Sequence, residues 1–118
     1  MLKSAKFLLF PLILSAQLAA AEPPAADKEL AAVAELGRVN GTALACKRAD
    51  LVAKAKAMMI ARVPKTRRYG EAFEESTNAA FREQTAAASA CPAAVVLSLR
   101  LEAADLRLGD VFPPPAPQ

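Results

Sequence analysis

The sequence predicts an all-α fold, a small four-helix bundle-like domain with one disulfide, preceded by a cleavable signal peptide. Three observations carry that reading. Apolar residues recur at a helical period in four successive segments, prolines and capping residues fall between those segments, and the chain holds only two cysteines, Cys46 and Cys91.

Residues 1–21 have the form of a bacterial secretory signal. Lys3 and Lys6 precede an apolar run from Phe7 to Leu18, and Ala19-Ala20-Ala21 matches the small-x-small pattern that a signal peptidase cuts. The run is shorter than the roughly 20 apolar residues of a membrane span, and no cysteine stands at the cut to take a lipid. The expected location is therefore periplasmic (or secreted), with no stable membrane anchor after cleavage. The expected organisation is a signal peptide over 1–21, an extended tail over 22–26, a helical domain over 27–109 and a Pro-rich tail over 110–118.

In an oxidising compartment two cysteines favour a bridge, so Cys46 and Cys91 are expected to form the disulfide. A loop of that length contributes about 4 kcal/mol on the chain-entropy account. For a domain whose total stability is about 5–15 kcal/mol, that is a large share.

Asp27 is the predicted N-cap of the first helix, which runs to about Lys47 with Leu30, Val33, Ala34, Gly37, Gly41, Leu44 and Ala45 along one stripe. Gly37, Gly41 and Ala45 are spaced four apart and leave a smooth strip. Two glycines cost about 2 kcal/mol of helix propensity, which a close helix crossing would offset. The alternative is a break at Asn40-Gly41 and two shorter helices. Asn40-Gly41-Thr42 also matches a glycosylation sequon, read as coincidence in a bacterial chain.

Asp50 is the predicted cap of a second helix, Leu51 to Val63, with Leu51, Val52, Ala55, Met58, Met59 and Val63 inward. The paired methionines are read as flexible core filler. Pro64 ends the helix. Thr66 starts a third, to about Ala88, with Tyr69, Phe73, Thr77, Ala80, Phe81 and Ala88 near one face. Its three aromatics are expected at the centre of the core.

Pro92 suits the first turn of a fourth helix ending at Gly109. Val96, Leu99, Ala103 and Leu106 make one stripe of it, and Leu97, Leu101, Ala104 and Leu108 another on nearly the opposite side. Alternation over Leu97–Glu102 also fits a strand, but a strand has no partner elsewhere, and Ala, Leu, Arg and Glu favour helix. Two apolar faces imply burial on both sides or contact with another molecule.

Catalysis finds little support in the residues. Histidine is absent, and with it the commonest acid, base and metal ligand near neutral pH. Ser76, Thr77 and Ser89 have no imidazole to activate them; Glu71 and Glu75 share a helix face but lack a second catalytic group. A thiol oxidoreductase would carry its cysteines as C-x-x-C. No catalytic residue, cofactor or metal site is expected, and the chain reads as a non-enzyme.

Charge supplies the clearest functional hint. Lys47, Arg48, Lys54, Lys56, Arg62, Lys65, Arg67 and Arg68 are opposed in their segment only by Asp50, while Glu71, Glu74, Glu75 and Glu83 follow. Antiparallel second and third helices could pair these charges across their faces. The functional alternative is a basic loop whose Arg62, Lys65, Arg67 and Arg68 engage an anionic protein or surface, beside a fourth-helix face carrying Leu97, Leu101 and Leu108. Without Lys3 and Lys6, 13 basic residues meet 12 acidic ones, so nucleic acid is not an expected partner.

The expected function is thus a non-catalytic periplasmic binding protein, such as an inhibitor, immunity-like protein or accessory subunit, whose partner is another protein or a second copy. The alternative is a periplasmic stress chaperone that exposes apolar helix faces on partial opening. In outline the chain resembles acid-stress chaperones of enteric bacteria and immunity proteins, on architecture alone, so no residue role is carried over.

Overall fold

The computed structural model describes residues 25–87 and 90–114; the signal-like segment, Ala88, Ser89 and the ends of both predicted tails lie outside the described residues. Four helices make up the structure: α1 (Ala25–Ala45), α2 (Ala49–Arg62), α3 (Arg67–Ala86) and α4 (Ala94–Val111). Among the described residues there is no strand. α1 is the central element and touches the other three; α2 and α4 also meet, whereas α3 approaches α1 alone. Contacts of Glu29 with Tyr69 and of Asn40 with Thr77 run in step, so α3 is parallel to α1. The Glu35–Arg107 pair near one end of α4 and the Cys46–Cys91 bridge near the other make α4 antiparallel to α1.

α1 begins at Ala25, inside the predicted tail, so Asp27 lies in its first turn instead of capping it, and the helix continues without interruption through Asn40-Gly41. Its predicted stripe is only one of its covered sides. Leu30 is half-buried and Leu44 is exposed, while Ala32, Leu36, Val39 and Ala43 are buried under α2 and α4. The glycines serve α3. A methyl group added at Gly37 would stand 2.7 Å from both the Phe73 carbonyl oxygen and Ser76 Cβ, so backbone meets backbone there. Across this crossing Asn40 Nδ2 donates to Thr77 Oγ1 at 3.2 Å, and the Thr77 hydroxyl donates to the Gly37 carbonyl at 3.2 Å. Asn40 is 2% exposed, which closes the sequon to glycosylation in the folded chain.

α1 ends in a turn that no glycine announces. Lys47 takes a left-handed φ of 59°, Arg48 N–H reaches back to the Ala43 carbonyl (2.9 Å) and Lys47 N–H to Leu44 (3.1 Å). This is the Schellman pattern, with lysine where glycine is usual. Arg48, not Asp50, therefore precedes α2; Asp50 lies in its first turn, where a carboxylate suits the helix dipole. α2 stops at Arg62 because Val63, before Pro64, is held extended (φ −98°, ψ 130°). Thr66 caps α3 by accepting from Tyr69 N–H.

α4 departs from expectation at both ends. It begins at Ala94, two residues beyond Pro92, and passes through Gly109 to Val111, so the predicted tail starts too early. The Arg62 guanidinium lies over Gly109, and Phe112 packs edge-on against Tyr69 with ring centroids 5.2 Å apart. These contacts hold the last turn.

The core is aliphatic, which corrects the expectation of an aromatic centre. Val33, Leu36, Leu97 and Leu108 are fully buried, Tyr69 and Phe73 pack at its margin, and Phe81 is 42% exposed. The glycine crossing explains this: α3 sits too near α1 for rings to fit between them. Met58 and Met59 pack half-buried against the same core. Cys46 and Cys91 are joined, with their Cα atoms 5.8 Å apart, and tie the end of α1 to the connection between α3 and α4.

Candidate functional site: the outer face of α4 and the α3–α4 groove

The basic segment is distributed differently from the expectation. The backbones of α2 and α3 stay apart, and among the described residues no ion pair joins the two helices. Arg62 instead grips Asp105 of α4 with two bonds, Nε to Oδ1 at 2.5 Å and Nη2 to Oδ2 at 3.3 Å. The bond to that carboxylate, followed by its charge, raises the guanidinium pKa further above its ordinary value. Arg67 pairs with Glu71 one turn along the same helix at 2.8 Å, an exposed contact of small worth. Of the four predicted loop cations, Lys65 and Arg68 keep exposed charges without an ion pair among the described contacts, and Arg68 lines a shallow hollow with Glu71 and Glu75. The knob is half neutralised.

The predicted apolar surface is also placed elsewhere. Leu97, Leu101 and Leu108 are 0%, 2% and 0% exposed and belong to the core, so they are not open to a partner. The opposite stripe faces solvent: Val95 is 64% exposed, Leu99 60% and Leu106 72%, with Val96 and Ala103 beside them. Helical period alone could not rank the two stripes. Glu102 and Asp110 share a side with Leu99 and Leu106, and that was the available signal.

Next to this stripe runs a groove of about 470 Å³, open because α3 and α4 do not meet. α1 forms its floor with Val39 and Thr42. Ala80 and Glu83 of α3 line one wall; Arg100, Ala103 and Arg107 of α4 line the other. Arg38 and Glu35 reach in from α1, and Arg107 Nη1 donates to Glu35 Oε2 at 2.6 Å. Ala103 joins groove to stripe. Sequence reasoning missed Arg38, Arg100 and Arg107 because they are scattered along the chain; the seven-residue spacing of the last two, which puts them on one side of α4, was the signal to find.

Among the described residues no three His, Cys, Asp or Glu side chains stand together as metal ligands, and no helix is long and apolar enough to cross a membrane. Compared with protein-family models, with curated proteins and with solved structures, the chain finds no match. Its surface chemistry is therefore the ground for a functional reading.

Proposed function

We propose that this chain is an exported, non-catalytic binding protein that engages another protein through the outer face of α4 and the groove beside it. The observation that carries the proposal is the exposed stripe of Val95, Leu99 and Leu106 on a helix whose other side is fully buried. Three large aliphatic side chains left in water along one side of a helix contribute little to folding, and exposed apolar surface of this kind is a common mark of a protein contact site. The adjoining arginines add bidentate donors suited to carboxylates. Export is supported by the signal-like residues 1–21 and by the disulfide, which persists in oxidising compartments.

The test is capture from a periplasmic extract with three baits: the wild-type chain, Leu99→Glu with Leu106→Glu, and Lys65→Glu with Arg68→Glu. The proposal expects a discrete partner that is lost with the α4 bait and retained with the loop bait. Identical partner lists from wild type and the α4 bait would overturn it. One observation favours a second reading as a stress chaperone, namely that α2, which carries the half-buried Met58 and Met59, has the sparsest contacts with the other helices and is the element that opening would release. Holdase activity measured across pH separates the two, since a dedicated binder shows none.

A further inference from the structure

We infer that the groove between α3 and α4 takes an acidic amphipathic helix of a partner protein, an inference that rests on the binding-protein reading above. The argument begins with spacing. Arg107 stands beside Glu35 of α1, and α4 runs antiparallel to α1, so Arg100 lies two turns further along the groove, level with Thr42. Arg38 falls between them. At about 1.5 Å per residue the three arginines are rooted over roughly 10 Å, in steps of about one turn. Carboxylates at positions i, i+3 or i+4, and i+7 of a helix laid along the groove repeat at the same interval.

The donors are available. Arg38 and Arg100 are exposed and carry no ion pair among the described residues, and Glu35 engages only part of the Arg107 guanidinium, which has five N–H groups. Between the cations the surface is small and apolar, formed by the exposed Ala103 with the nearly buried Val39 and Ala80 at the groove floor, so a helix with aliphatic residues next to its acidic edge can lie close. α3 and α4 each border this space without meeting, and an added helix would supply a neighbour to both.

Charge also decides between classes of occupant. Glu35 and Glu83 line the groove, and Glu102 and Asp110 are exposed on α4. That mixture repels an anionic lipid surface but accommodates a peptide that places carboxylates on the arginines and a cation near Glu83. Glu83 lies towards the disulfide end, beyond Arg100, where a partner lysine or the positive N-terminal end of its helix would complete the match.

The probe is a fluorescent helical peptide of leucine and alanine with glutamates at i, i+4 and i+7, compared with its lysine-for-glutamate counterpart. Each is titrated with the full oxidised chain by anisotropy. The expected result is binding of the acidic peptide at least about tenfold tighter than the lysine peptide, weakening with salt. Arg38→Glu with Arg100→Glu should remove that preference while leaving the melting temperature nearly unchanged, since both side chains are exposed. Equal affinity for the two peptides, or an unchanged preference in the variant, overturns the inference. So does tighter binding to phosphatidylglycerol vesicles than to the acidic peptide, which would assign the groove to a membrane surface. A dimer in sedimentation that the same variant abolishes would assign it to a second copy, with the same consequence. If the α4 substitutions abolish capture of the native partner while the arginine variant changes neither capture nor peptide binding, this inference fails alone; if neither changes capture, the binding-protein reading fails with it.

Discussion

Replacing Gly41 by alanine should destabilise the protein, although alanine is the better helix former. The added methyl would collide with the Thr77 carbonyl oxygen and stand 2.9 Å from Ala80 Cβ, while at Gly37 the corresponding methyl meets Phe73 O and Ser76 Cβ at 2.7 Å. The obstructing atoms are α3 backbone or first side-chain carbons, so no rotamer change relieves the clash. α3 must retreat. Restoring ordinary contact at 3.4 Å demands about 0.7 Å at Gly37, and Gly41 demands more, on the order of 1 Å. The Asn40–Thr77 bond, already 3.2 Å, is then stretched beyond bonding distance inside a buried interface. Overpacking contributes a loss of about 1–3 kcal/mol and the broken buried bond about 1–3 kcal/mol, against a propensity gain of about 1 kcal/mol. The net loss is about 1–5 kcal/mol. Urea unfolding of the oxidised chain measures it, with Gly70→Ala as the control because nothing lies within 4 Å of that position. The control should gain up to about 1 kcal/mol. A Gly41→Ala protein as stable as wild type would refute the close crossing.

Four further outcomes follow from the same contacts. Changing Cys46 and Cys91 to serine should remove about 4 kcal/mol, and thermal melts of the wild type with and without reductant should differ correspondingly. Lys47→Gly should stabilise by about 1 kcal/mol in urea unfolding, because its φ of 59° suits glycine. Leu97→Ala or Leu108→Ala should cost about 2–5 kcal/mol, whereas Leu99→Glu or Leu106→Glu should change stability by less than about 0.5 kcal/mol in the same assay. The bond from the Tyr69 hydroxyl to Glu29, with desolvation next, raises the phenol above its usual 10.0, so the contribution of this bond is fully present below pH 10 and is lost as pH rises through the raised folded value. Melting temperatures from pH 9 to 12 should therefore fall less steeply for Tyr69→Phe than for wild type.

The elements legible in the sequence are those set by local chemistry. Four helices, the stop at Pro64, the Thr66 cap and the cysteine bridge all depend on residues near one another or on a count of two. The glycine strip was legible too, since four-residue spacing aligns Gly37 and Gly41 whatever packs against them. What escaped depends on which helix meets which. The two stripes of α4 have similar apolar content, and only the contacts of α4 with α1 and α2 decide that Leu97 goes in and Leu99 stays out. The aromatic residues of α3 look like core material until the glycine crossing removes the space for them. Lys47 in a left-handed turn carries no sequence mark, and Gly109 lost its role as a helix stop to Arg62 and Phe112. The groove arginines come from two helices that are distant in sequence, so no local cluster announced them.

The most direct test of the central claim, that α4 presents its outer stripe to a partner, is site-specific photocrosslinking in the native compartment. A crosslinking residue at Leu99 is compared with one at Ile60, which is 69% exposed on α2 and outside the candidate site. The account predicts a discrete adduct to one other protein from position 99 and none from position 60. An adduct from position 60 with none from position 99 would contradict it.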